Sequence, residues 1–104
     1  MRREPTALAY INDDITVSPQ WDVAQCQRLA RRLGYRLIWP PETCALGLVD
    51  QIRQSDVDAV IVPSSQHLDV LTLDRLMHSC DVEAVHPRTT YARYCGGSQA
   101  GFRA

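Results

Sequence analysis

The sequence predicts a three-layer α/β fold, in which helices flank a four-stranded parallel sheet of strand order 2-1-3-4. Strand-like apolar runs alternate with helix-periodic segments, the pattern of successive βαβ units. Two of the strand segments, residues 6–11 and 57–62, are almost wholly apolar, as expected of strands covered on both faces. Right-handed crossovers with these two strands in the middle give the predicted order. A chain of 104 residues is enough for one domain and too short for two.

The first half of the chain predicts strand, helix, strand. Residues 6–11 (TALAYI) form the first strand. A helix begins at Ser18-Pro19, because serine is a favoured N-cap and proline is favoured at the first helical position. It ends at Gly34, the usual C-terminal stop. Residues 35–39 (YRLIW) form the second strand, whose internal arginine and following prolines favour the edge of the sheet.

The second half repeats the pattern. The second helix is capped by Thr43 and carries Gly47 inside it; its apolar stripe is Ala45, Leu48, Val49 and Ile52. The third strand, 57–62, leads into a third helix from about Asp69 to Ser79. That helix buries one apolar stripe, namely Leu73, Leu76, Met77 and Cys80.

A short fourth strand, residues 82–85, is closed by His86-Pro87. Residues 88–104 follow neither the helical nor the strand period and contain Gly96-Gly97, so we expect an irregular C-terminal tail. The domain therefore spans residues 1–87 and the tail spans 88–104.

Charge and cysteine usage predict a reduced cytoplasmic protein. The net charge of −1 gives no general attraction to nucleic acid or to an anionic membrane. No signal-peptide pattern precedes the first strand, and no apolar run approaches the ~20 residues that cross a bilayer. The four cysteines lack CxxC spacing, and three fall on predicted buried helix faces. They are Cys26, Cys44, Cys80 and Cys95.

The predicted topology gathers polar side chains where the first and third strands end, the place where α/β sheets bind ligands. These crevice residues are Asn12, Asp13, Asp14, Ser64, Ser65, Gln66 and His67. Serine, histidine and aspartate are the residue types of an acyl-transfer triad, although no G-x-S-x-G elbow accompanies them. The crevice therefore leaves open a small ligand-binding or hydrolytic domain, beside a simpler interpretation in which the serines cap the third helix.

The sequence predicts no metal site and no cofactor. Asp13 and Asp14 follow the first strand as the acidic Mg²⁺ pocket of response-regulator receivers does, but the third strand ends without the aspartate that such a pocket needs. The spacing of His78, Cys80 and His86 is not typical of zinc.

Over about residues 6–86, the order and spacing of the predicted strands, helices and motifs resemble those in the catalytic domain of the serine recombinases. This is the resolvase/invertase family, whose fold is flavodoxin-like α/β. Residues 10–14 (YINDD) occupy the position of the family's first motif, Tyr-x-Arg-x-Ser. Residues 25–29 (QCQRL), followed by Gly34-Tyr35, resemble its helix motif. Residues 58–62 (DAVIV) resemble its third strand, and 65–70 (SQHLDV) occupy its second arginine motif.

In that family a serine attacks a DNA phosphodiester while arginines neutralise the phosphate. The resemblance puts Asp14 at the nucleophile position and Asn12 at the first arginine. His67 and Val70 stand at the two later arginines. A carboxylate in place of the serine would repel a nearby phosphate. The resemblance thus implies a resolvase-like domain without recombinase activity.

We therefore expect a non-catalytic module that binds a protein partner or forms a homodimer. Exposed aromatic and basic side chains form its candidate surface. They are Trp21, Arg28, Arg31, Arg32, Trp39, Tyr91, Tyr94 and Phe102. A ligand-binding or hydrolytic crevice is the alternative, and an accessory DNA-binding role through the three arginines is a second alternative.

Overall fold

A computed structural model describes residues 4–40 and 47–94 and has a five-stranded sheet of order β2-β1-β3-β4-β5. The strands are β1 (Thr6–Ala9), β2 (Arg36–Ile38), β3 (Ala59–Val62), β4 (Asp81–Ala84) and β5 (Thr89–Tyr91). The first four run parallel, and β5 runs antiparallel to β4. The predicted α/β class is confirmed.

Helices cover both faces of this sheet. They are α1 (Pro19–Leu33), α2 (Leu48–Ser55) and α3 (Val70–Met77), and a 3₁₀ turn (Ser65–His67) precedes α3. Because side chains alternate along a strand, Ala59 and Ile61 of β3 pack with the α1 side chains, whereas Val60 and Val62 pack with those of α2 and α3. All four β3 residues are buried, which explains their uninterrupted apolar sequence.

Both predicted ends of the first helix are confirmed. Ser18 precedes the helix in an extended conformation and Pro19 opens it. Gly34 ends it with a left-handed φ of 83°, donating its N–H to the carbonyls of Ala30 and Arg31. Local sequence decides these ends, because proline fixes φ and glycine tolerates positive φ.

The second helix differs from the prediction at its start. Gly47, which the sequence placed inside the helix, is instead the N-cap of α2 in an extended conformation. A glycine is more easily accommodated there than in a helix interior. The predicted cap Thr43, together with Cys44 and Ala45, lies outside the described residues.

The prediction of a four-stranded parallel sheet followed by an irregular tail from Arg88 is wrong for residues 89–91. After a turn through the cis His86-Pro87 bond, these residues form β5 beside β4. The buried Glu83 carboxylate accepts a hydrogen bond from the Thr90 hydroxyl (2.6 Å) and pairs with Arg88 (2.9 Å). In a strand of only three residues, the alternation of apolar and polar side chains is too brief to be recognised in the sequence. Cys95, Gly96-Gly97 and Phe102 lie outside the described residues.

Cys26 and Cys80 are buried free thiols. Burial is the main cause that raises the pKa of Cys26 to about 12 and that of Cys80 to about 11, so both remain protonated near neutrality. Across residues 4–40 and 47–94, no helix combines the length and the apolar character needed to cross a bilayer.

Candidate functional site

The loops that follow β1 and β3 meet at the carboxyl edge of the sheet, because these parallel strands are neighbours. Asn12 and His67 join the loops: the backbone N–H of Asn12 donates to Nδ1 of His67 at 2.9 Å. The amide Nδ2 of Asn12 lies 3.5 Å from the His67 carbonyl oxygen, at the limit of a hydrogen bond. The structure thus brings together one predicted crevice residue from each loop.

His67 is a buried imidazole, with only 5% of its surface exposed. Because Nδ1 accepts an N–H, the neutral ring carries its proton on Nε2. Burial lowers the pKa of His67, and the Asp22 carboxylate acts weakly in the opposite direction. Among residues 4–40 and 47–94, no group accepts a hydrogen bond from Nε2.

The predicted acidic residues of the first loop are on its surface. The Asn12 side-chain oxygen accepts the backbone N–H of Asp14 at 3.0 Å and so shapes the turn. Asp13 and Asp14 are exposed. Since the Asn12 N–H already occupies Nδ1, Asp14 does not orient the imidazole of His67 as a triad aspartate would.

The second loop is fixed by local caps. Ser64 Oγ accepts the backbone N–H of Gln66 at 3.3 Å and caps the 3₁₀ turn that starts at Ser65. Asp69, rather than a serine, caps α3, with its carboxylate accepting the N–H of Thr72 at 2.7 Å. Hydrogen bonds from Thr72, first from its backbone N–H and then from its side chain, lower the pKa of Asp69. The expectation that the serines cap the third helix is therefore wrong.

A cleft of about 740 Å³ lies between the N-terminal ends of α2 and α3, and we call it the α2–α3 cleft. Its polar lining includes two arginines, two aspartates and four uncharged side chains, namely Arg53, Arg75, Asp50, Asp69, Asn12, Gln66, His67 and Thr72. Arg53 and Arg75 could not be recognised from the sequence, because an arginine that lines a cleft has the same sequence pattern as one that faces open solvent.

A second cleft, of about 500 Å³, lies between the start of α1 and the carboxyl ends of β3 and β4. Val17, Trp21 and Asp22 form one wall, and His86 stands on another. The Thr16 hydroxyl donates a hydrogen bond to the Asp22 carboxylate. His67 lines this cleft and the α2–α3 cleft alike, so its imidazole stands in the wall between them.

Large apolar side chains are exposed on the elements that begin at the same carboxyl edge. Val17 is 99% exposed and Trp21 63% at the start of α1. Val70 is 81% exposed and Leu71 73% in the first turn of α3. We call these four residues the apolar rim. Of these four residues, only Trp21 was predicted from the sequence to belong to an interaction surface. The exposure of Val70 and Leu71 could have been inferred from their position outside the predicted buried stripe of the third helix.

The other residues of the predicted interaction surface do not form one patch. Trp39 follows the edge strand β2, whereas Tyr91 belongs to β5 at the opposite edge and packs against the core. Tyr94 lies beyond β5 and donates to Asp74 at 2.6 Å. The basic residues Arg28, Arg31 and Arg32 are exposed on the second half of α1.

In the two described ranges, no three histidine, cysteine or acidic side chains are grouped as a metal site would require. His78 lies 3.7 Å from Asp74, and the buried Cys80 thiol donates to the Leu76 carbonyl. Scans of this chain against protein-family models, characterised proteins and solved structures find no match.

Proposed function

We propose that this chain is a non-catalytic, resolvase-like domain that works as a protein-interaction module. The observation that carries the proposal is the apolar rim: four large side chains exposed on elements that start at one edge of the sheet. Large apolar side chains exposed at one edge of a domain are candidates for a binding site. The edge is also where domains of this architecture place their functional residues.

The state of His67 favours binding over catalysis. A general base that activates a serine needs a free lone pair on the nitrogen facing the hydroxyl. Here Nδ1 accepts the Asn12 N–H, so the neutral ring has a proton, not a lone pair, on Nε2. The exposed carboxylates of Asp13 and Asp14 would also repel a phosphodiester.

Charge at the edge favours a different protein over a second copy as the partner. Asp13 and Asp14 lie in the loop that leads to Val17 and Trp21, and both aspartates are exposed. A two-fold contact centred on this loop would bring the aspartates of the two copies together. We therefore assign the partner surface apolar side chains flanked by lysine or arginine, which complement this edge.

The test is cross-linking of the tagged chain in its native cell extract, with mass spectrometry of the linked peptides. Trp21→Ala and Val70→Ser should each abolish the links to one partner, whereas the control Trp39→Ala should retain them. The linked partner segment should contain apolar residues next to lysine or arginine.

Two further measurements separate the alternatives. A dimer by light scattering that Trp21→Ala converts to a monomer would replace the proposal with homodimerisation. Duplex-DNA affinity that falls steeply with salt and is lost in Arg28→Gln would support the DNA-binding alternative instead. Partner links that survive both rim variants would contradict the proposal.

A further inference from the structure

The cleft of about 500 Å³ at the start of α1, which we call the α1 cleft, has one carboxylate in its lining among the described residues. Its titratable side chains are Asp22, His67 and His86, and no arginine of residues 4–40 and 47–94 lines it. The other polar groups are uncharged side chains of serine, threonine and glutamine. While the histidines are neutral, this lining is therefore negative and suits a cation.

The Asp22 carboxylate keeps most of its capacity to accept hydrogen bonds. One of its oxygens, Oδ2, accepts the Thr16 hydroxyl. In the part of the chain that the structure describes, Asp22 forms no ion pair with an arginine. An ionised carboxylate has about four acceptor positions, so one neutral donor leaves room for others. Asp22 is also partly buried, where a charge is screened less than on an open surface.

The indole of Trp21 supplies an aromatic wall next to this carboxylate. Trp21 lines the α1 cleft and is largely exposed. Consecutive helix positions point about 100° apart, so Trp21 and Asp22 border the cleft from different directions. A planar guanidinium can stack on an aromatic face while its N–H groups pair with a carboxylate, whereas the ammonium of lysine is a compact point charge. Together the two side chains favour arginine over lysine.

The N-terminal end of α1 is the main charge that opposes a cation here. A helix N-terminus carries about half of a positive elementary charge, whereas the Asp22 carboxylate carries a full negative one. The loop before α1 adds the exposed carboxylates of Asp13 and Asp14, and residues 4–27 contain no arginine or lysine. The balance of charge around the α1 cleft is therefore negative.

We propose that the α1 cleft receives the guanidinium group of an arginine from the protein partner. The guanidinium pairs with Asp22 and stacks on Trp21, and apolar side chains beside that arginine contact Val17, which lines the same cleft. This inference rests on the proposed function and narrows the partner surface to one in which an arginine adjoins apolar residues.

The test is a titration of the whole chain with N-acetyl-argininamide, with N-acetyl-citrullinamide as a neutral probe of similar shape. The readout is the indole N–H resonances in NMR, because the chain has two tryptophans and Trp39 lines a different cleft. At about pH 8, where histidine is ordinarily neutral, and at constant ionic strength, the arginine probe should shift the Trp21 resonance saturably and leave that of Trp39 unchanged. The citrulline probe should bind at least about fivefold more weakly.

Asp22→Asn keeps an oxygen for the Thr16 hydroxyl but removes the charge, so it should weaken binding of the arginine probe at least about fivefold. Asp14→Asn makes the same charge change on an exposed loop residue and should leave the affinity within about twofold. The comparison of the two probes needs no variant, so it decides the question even when Asp22→Asn fails to fold. In the native extract, Asp22→Asn should remove the partner links that Trp21→Ala removes, and the linked segment should contain an arginine.

Four results would overturn the arginine site and leave the proposed function standing. They are the absence of a saturable shift at Trp21, equal binding of the two probes, equal losses in Asp22→Asn and Asp14→Asn, and partner links that Asp22→Asn retains while the rim variants lose them. Partner links that survive in Trp21→Ala and Val70→Ser would instead contradict the proposed function, and this inference would fail with it.

Discussion

The backbone N–H of Asn12 donates to Nδ1 of His67 at 2.9 Å, across 55 positions of sequence. This bond ties the loop after β1 to the loop after β3, and it leaves the imidazole with its proton on Nε2. The same contact stabilises the edge and determines what His67 can offer to a ligand.

Replacing His67 with leucine should lower the free energy of unfolding by about 1–3 kcal/mol, because the Asn12 N–H then loses its acceptor while remaining partly buried. The exposed His86 provides the matched control, and His86→Leu should change stability by less than about 0.5 kcal/mol. Urea denaturation measures both. Equal effects would show that the bond contributes nothing specific.

Stability should fall as the pH decreases below about 6.5, the ordinary pKa of histidine. Burial lowers the pKa of folded His67, so the unfolded chain takes up a proton there before the folded chain does. The loss continues down to the lowered folded-state pKa and then stops for this group. Urea denaturation at a series of pH values should show a smaller loss in His67→Gln than in the original chain; an unchanged pH dependence would contradict this assignment.

The Glu83–Arg88 pair should stabilise the β4–β5 hairpin. Removing Arg88 with Arg88→Gln leaves the buried Glu83 carboxylate with the Thr90 hydroxyl, and this should cost about 1–3 kcal/mol. The range is modest because Arg88 is 37% exposed. The double variant with Glu83→Gln should recover part of that loss, and a double-mutant cycle measures the coupling. Strictly additive losses would contradict a direct pair.

Exposed and buried apolar residues of α3 should respond differently. Leu76 is fully buried, so Leu76→Ala should cost about 2–5 kcal/mol. Val70→Ser and Leu71→Ser should each change stability by no more than about 0.5 kcal/mol. Thermal and urea unfolding test this. A large loss at Val70 would show that the apolar rim serves the fold and is not free for a partner.

The two helix-flanking glycines should tolerate alanine unequally. Gly34 has φ of 83°, where a Cβ is strained, so Gly34→Ala should cost about 1 kcal/mol. Gly47 has φ of −68° with no atom near the added Cβ, so Gly47→Ala should stay within about 0.5 kcal/mol. Equal melting temperatures for the two variants would contradict the backbone argument.

The α/β class and the ends of α1 followed from the sequence, because apolar runs, proline and glycine act locally. Residues 89–91 were missed because their strand is decided by contacts with Glu83 on β4, which no local period reveals. Arg53 and Arg75 were missed as well, since only the packing of α2 beside α3 brings them to one cleft.

By itself, the sequence determined three helices, the first four strands and the central place of the first and third strands, because burial on both faces demands continuous apolar residues. Only the tertiary structure decided what the carboxyl edge offers. It set the tautomer of His67 through a backbone N–H from another loop, left four apolar side chains exposed, and joined two helix ends into a cleft. Such features depend on distances between residues far apart in the chain, and these distances are set by the packing of the whole sheet.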